Sequence, residues 1–331
     1  MDTTPIPRDF PLPLPASIAD LELAVVLLFL AHLLFVNLMV GGVLLSLAAE
    51  IRGLWRKPYD ALAHEIATTV TVNKSIAVVL GVGPLLVVNA LYGLWFYTAN
   101  SLTGRAWIAI VPVVISAFLL LYLHKYSWAA LADRKGLHIA IGTAGALLLL
   151  FVPLIFLANI NLMLFPDRWL GVEGFLSALA LPNVLPRFLH FLLASLAVGA
   201  LFLAGYLCRR GFDFDSRLPG IERCELKREL LGIALASTAA QLVAGPLVLF
   251  TLPPHGISWL LIGCIAIAIG LAATAALLMW RESSVERPLS ARYWSVVVLL
   301  GCTVSLMVLG RHLYREEAIE PHRQLVAAHT A

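Results

Sequence analysis

Residues 186–206 read PRFLHFLLASLAVGALFLAGY. The run is apolar enough to lie in a bilayer, yet it holds a histidine, His190, four residues after a proline. A second stretch answers it. HLLFVNLMVGGVLLSLA begins at His32, and HFLLASLAVGALFLAG begins at His190. In both, a glycine follows the histidine by nine residues, Gly41 and Gly199. The two histidines are 158 residues apart in a chain of 331. GPLLVVNAL from Gly83 and GPLVLFTLP from Gly245 repeat at a similar offset of 162. Matches at one offset near half the chain length point to an internal duplication.

The composition sets the class. Some 60% of residues are hydrophobic and 13% are charged, against about 25% charged in soluble domains. The mean hydropathy is +0.90. These values describe an all-α polytopic membrane protein. Eight apolar spans of bilayer length fall at residues 19–49, 71–98, 106–128, 137–164, 183–208, 229–252, 257–280 and 291–311. They divide into two four-helix bundles, 19–164 and 183–311, flanked by segments 1–18 and 312–331. Two halves that enter the membrane from the same side form a parallel repeat.

Lys and Arg set the orientation. With the N-terminus outside, the inner loops hold 15 of them and the outer segments 7, so both ends are read as outside. The first 18 residues are proline-rich with no basic start, so the first apolar helix is read as an uncleaved signal. The basic residues form no stripe, which excludes a nucleic-acid partner. Cys208, Cys224, Cys264 and Cys302 form neither CxxC nor CxxCH. That pattern gives no disulfide framework and no covalently attached c-type haem.

Nine histidines sort by depth. His64, His124 and His138 fall at or near the inner surface, and His255, His322 and His329 in the outer turn and tail. His312 caps the last span, while His32 and His190 lie within the membrane in its outer half. Each intramembrane imidazole either bonds a carbonyl across a helix contact or ligates a metal. Paired positions in two repeats favour haem b, a flat apolar cofactor held by axial nitrogen or sulfur in helical bundles. Met163, Met307 and His312 are the candidate sixth ligands, although methionine in a helix is more often core filler. Arg187, one turn before His190, is a haem-propionate partner or an interfacial anchor; Arg311 and Arg315 are propionate or docking candidates.

Lys74 either snorkels to the inner interface or binds an anionic or quinone carbonyl group, and GVGP at Gly81–Pro84 is a helix kink or a ligand crevice. Spans 2 to 8 carry no Asp or Glu in their apolar cores, which argues against a proton pump. The tail GRHLYREEAIEPHRQLVAAHTA is either a partner-docking segment or a disordered end.

AHLLFVNLMVGGVLLSLAAE, PRFLHFLLASLAVGALFLAG and IFLANINLMLFP resemble the first helix, the fifth helix and the end of the fourth helix of the large subunit of cytochrome bd-type quinol oxidases. The resemblance covers about the first 210 residues. It implies two four-helix bundles carrying b haems near the outer face, with His32 and His190 at haem-ligand positions. The family's acidic residues of helix 3 have no counterpart in AWIAIVPVVISAFLLLYLH, and its quinol loop is replaced by TLPPHGI. The expectation is therefore a shortened, bd-like membrane cytochrome b with one or two haems b. It would pass electrons between the quinone pool and a periplasmic, multihaem c-type cytochrome at the bacterial inner membrane, as a subunit of a quinol–cytochrome c oxidoreductase. A bd-like terminal oxidase subunit and a haem-free anchor or transporter are the competing readings.

Overall fold

The computed structural model describes residues 14–286 and 289–330; the side chains of 71–75 and 329–330 lie outside that description. Its helices are α1 (Ile18–Gly53), α2 (Pro58–Leu91), α3 (Gly93–Thr103), α4 (Arg105–Tyr126), α5 (Lys135–Leu164), α6 (Phe175–Leu179), α7 (Val184–Leu207), α8 (Phe214–Arg217), α9 (Arg223–Phe250), α10 (Trp259–Ser283) and α11 (Ala291–Thr330). Among the described residues no strand occurs. Among the described residues seven helices are long and apolar enough to cross a membrane; the segment Ile76–Leu91 of α2 and α3 pass that test only together, as a bent pair. The protein is a multi-pass membrane protein, as its composition requires.

Two expected spans look different. The span at 71–98 is not one rod: α2 starts at Pro58 and the chain turns by 112° between α2 and α3. The break falls at Tyr92, whose backbone leaves the helical region (φ −127°, ψ 30°), and not at Pro84, which sits inside continuous helix. The last helix does not stop at residue 311. It runs on to Thr330, through Pro321, so His312 lies in mid-helix and caps nothing. At 40 residues and 1.5 Å per residue, α11 is about 60 Å long, twice the hydrocarbon thickness. Its extension is a packed helix: the Tyr314 hydroxyl donates to Pro253 O at 3.1 Å, and Tyr314, Ala318, Ile319, His322 and Val326 form its buried face.

The bundle has two ends, conveniently labelled by Glu50 and by Arg187. One apolar core, with Val40, Leu47, Ile66, Leu121, Leu203, Leu230 and Met279, fills the Glu50 end. A second, with Tyr92, Phe96, Leu162, Met163, Trp169 and Tyr314, fills the Arg187 end. Asn159 and Asn161, both fully buried, tie the end of α5 to Asn100 and to Pro182 O (2.8 Å). Asn183, left-handed at φ 77°, starts α7 and donates to Val248 O at 2.7 Å.

α1 and α7 cross in backbone contact. A Cβ on Gly41 would lie 1.9 Å from Ser195 O, and one on Gly199 would lie 2.9 Å from Gly41 C. Beside this crossing the Ser195 hydroxyl shares its one proton between Asn37 Oδ1 at 3.0 Å and Phe191 O at 2.9 Å, Asn37 and Ser195 both being buried. Ser195→Ala is expected to leave that amide oxygen unpaired in an apolar interior. The loss is about 1–2 kcal/mol, read as a lowered thermal midpoint in detergent with the spectrum of the folded state unchanged.

At the Glu50 end, polar links join the two halves of the chain. Arg52 pairs with Glu229, the Tyr59 hydroxyl donates to Glu229 at 2.6 Å, and Arg217 meets Glu65 at 2.8 Å. Burial and the Glu229 carboxylate push the Tyr59 phenol up to about 12, so it remains a donor throughout the physiological range.

Candidate functional site

The Arg187 end gathers most of the chemistry that the sequence singled out. α7 enters with Arg187 and, one turn later, His190. α11 passes with Arg311, His312 and Arg315. The Arg311 guanidinium lies over the Phe29 ring of α1 at 4.6 Å, and Arg315 lies over Tyr92 at 5.0 Å. Arg187, Arg311 and Arg315 are close enough to repel one another, and Arg187 also acts on His190. Among the described residues no carboxylate pairs with any of the three.

The nearest acid is already engaged. Glu316 accepts from the Tyr92 hydroxyl and pairs with Arg323 at 2.7 Å. Glu22, His312 and Glu316 bring ligand atoms within 4.8 Å of one another at the rim. Inside that rim four nitrogens are buried with no hydrogen-bond partner: Arg187 Nη1, His190 Nδ1, His312 Nδ1 and Arg315 Nη1. A buried guanidinium without a counter-charge costs several kcal/mol. An anionic ligand lying against an imidazole would satisfy these groups.

His32 has different surroundings. It faces α2, where its Nδ1–H donates to Ala77 O at 2.9 Å. Because a carbonyl only accepts, the proton sits on Nδ1 and the Nε2 lone pair remains available. A Cβ on Gly81 would lie 2.8 Å from the His32 ring, so the GVGP glycine makes room for the imidazole. The carbonyl-bonded reading of His32 and the ligand reading are thus compatible, since metal-bound imidazoles usually carry such a bond on the second nitrogen.

The remaining candidates are placed as follows. Met163 is fully buried in the apolar core at the Arg187 end, packed among side chains such as Phe96 and Trp169. Met307 is half-buried on α11, one turn before Arg311. The side chain of Lys74 lies outside the described residues. The tail histidine His322 sits 3.9 Å from Asp167, and His255 Nε2–H donates to Ala318 O at 3.2 Å.

Sequence reasoning missed Tyr92 and Glu316, whose pairing needs the bend after α2. It also read His124 and His138 as groups at or near the inner surface, whereas with Glu50 they form one buried cluster. Residues 74 and 88 positions from Glu50 leave no local motif. The only available signal was their common depth at helix ends.

No family model matches the chain, and no curated protein matches it. Among solved structures it is similar to the bd oxidase from Geobacillus thermodenitrificans, with a TM-score of 0.69 and 13% identity. The match covers 91% of this chain and 87% of that one. The fold is that of a bd oxidase chain, shared over nearly the whole of both lengths.

Proposed function

We propose that the protein is a membrane cytochrome b that carries haem in the Arg187 end of the bundle and transfers electrons there. One observation carries the reading: three guanidiniums and the unpartnered nitrogen of His190 converge in an apolar bundle with no acid to balance them. Haem b supplies two propionates for such cations and an iron that takes imidazole. Bound there, it supplies a reversible one-electron couple. In this reading His190 is the best-supported iron ligand, and Arg187, Arg311 and Arg315 hold the propionates. His32, oriented by Ala77 O, is the ligand for a second haem. His312, Met307 and Met163 are the remaining candidates for an opposing ligand, and His312 is favoured over Met163 by its buried, unpartnered nitrogen.

The duplication enters the same proposal. Asn37 and Ser195 are separated by 158 residues, as are Gly41 and Gly199 and the two histidines. Equivalent positions that touch each other, Gly41 with Gly199 and Asn37 with Ser195, support a pseudo-twofold axis through the α1–α7 crossing. Its two halves are residues 19–164 and 183–311. The Lys and Arg distribution supports N-out and C-out topology, with the haem end periplasmic in a bacterial inner membrane. Quinol at the membrane and a periplasmic c-type cytochrome are the proposed electron partners, and the α11 extension is the docking element for the latter.

A dithionite-reduced spectrum of purified protein is expected to show the Soret and α bands of haem b; a featureless visible spectrum ends the proposal. Within it, Arg187→Leu removes a positive charge near the ring. The ferric form then gains relative to the ferrous one, and the midpoint potential falls. The loss is on the order of 1 kcal/mol, roughly 40 mV for one electron, measured by redox titration.

The fold it shares with a bd oxidase favours a second reading, a terminal oxidase subunit. Cyanide-sensitive oxygen uptake would select it. The absence of acidic residues from the sequence of α4 weighs against it.

A further inference from the structure

At the opposite end of the bundle from Arg187 and His190, three helices bring together Glu50 (α1), His124 (α4) and His138 (α5). The three side chains are between 0% and 4% exposed. One ligand atom from each lies within 4.8 Å of the others. His124 Nε2 is 2.7 Å from Glu50 Oε2, and His138 Nδ1 contacts Glu50 Oε1.

The hydrogen-bond bookkeeping at His138 is informative. Its Nε2 is 2.7 Å from His124 O, and a carbonyl only accepts, so Nε2 carries a proton. In the neutral ring Nδ1 then presents a lone pair to a carboxylate oxygen that also presents lone pairs. A positive charge has to lie between them, either a second ring proton or a metal ion. Lys135 does not fill that role. It is 3.5 Å from Glu50 Oε1 but is held at 2.5 Å by Asp60, which Trp128 Nε1–H fixes from the other side at 3.1 Å.

We infer that Glu50, His124 and His138 form a divalent metal site of the zinc class. Two imidazole nitrogens and one carboxylate are a recurrent donor set for zinc, which leaves a fourth position for water. The His138 Nε2–H bond to a backbone carbonyl is the outer contact that such ligands usually carry. Beside His124 a cavity of about 20 Å³, with Ser46 also in its wall, has room for one water. Gly142 contributes by absence, since a Cβ there would lie 2.7 Å from the His124 ring. Ion entry needs the ligand atoms to spread to roughly 3.4 Å, the tetrahedral edge for bonds of 2.0–2.1 Å. Bound, the metal clamps α1, α4 and α5 together.

The test uses the full chain in detergent, stripped with EDTA, incubated with excess ZnCl2 and desalted. Elemental analysis is expected to return close to one zinc per chain. The zinc K-edge absorption is expected to show nitrogen and oxygen neighbours at about 2.0–2.1 Å with imidazole outer-shell scattering. Glu50→Gln and His124→Gln are expected to lower zinc affinity at least tenfold, whereas His64→Gln, beside the cluster but outside it, leaves it unchanged. Zinc at background in the wild-type chain, or zinc unaffected by both substitutions, overturns the site and leaves a cluster that shares protons only. If either variant fails to fold, the wild-type stoichiometry and absorption spectrum decide alone: background zinc, or a spectrum without imidazole scattering, overturns it.

Discussion

His190→Ala is expected to remove the haem signal of the purified protein wholly if one haem is bound, and by about half if two are. Several features of the Arg187 end make this loss large. The imidazole lies one turn from Arg187 on α7, and its Nδ1 is buried with no protein partner to reclaim it. Truncation leaves three arginines without an iron-anchored ligand, and the propionates alone hold a flat ring weakly. Pyridine haemochrome quantification, normalised to protein, measures the effect. Helix content by circular dichroism separates ligand loss from unfolding. A variant that folds and keeps full haem content would rule out His190 as a ligand and shift the assignment to His32, whose Nε2 is free while Nδ1–H is held by Ala77 O.

Gly41→Leu is expected to be the most destabilising single substitution in the bundle. Even a methyl group at this position would lie 1.9 Å from Ser195 O and 3.2 Å from Gly199 Cα. Both obstacles are backbone, so no side chain can rotate away, and α1 and α7 must separate. Overpacking of this kind costs about 3 kcal/mol or more, and separation also breaks the Asn37–Ser195 hydrogen bond. The expected outcome is a sharply reduced yield of monodisperse protein and a lowered thermal midpoint. Gly263→Ala and Gly301→Ala, where an added Cβ meets nothing within 4 Å, are expected to be neutral or mildly stabilising. Equal tolerance at all three positions would count against close backbone packing at the crossing.

The contrast between His190 and Glu50 shows what was legible before any coordinates. His190 stood out because an ionisable group in an apolar run is conspicuous, and because a second copy at His32 repeated its context. Arg187, Arg311 and Arg315 were visible as outer cations, but their convergence was not, since Arg187 and Arg311 are 124 residues apart in sequence. Glu50, His124 and His138 sit at helix ends, where polar residues are ordinary, so nothing marked them as buried. The extension of α11 was legible in principle. Tyr314, Ala318, Ile319, His322 and Val326 follow helical spacing, but Pro321 and the charged residues between them read as an end.

The sequence alone determined a polytopic helical bundle, because spans of 20 or more apolar residues have no other low-energy solution in lipid. It also shows the 158-residue spacing shared by His32 with His190 and Gly41 with Gly199, from which the duplication is proposed. The tertiary structure decided where α2 turns, through Tyr92 and not Pro84, since a bend depends on what the next segment packs against. It decided too that three arginines come within repelling range of one another with no ion-paired carboxylate among the described residues, and that Glu50 meets two imidazoles. Those facts rest on contacts across tens to hundreds of residues, and local pattern carries no record of them.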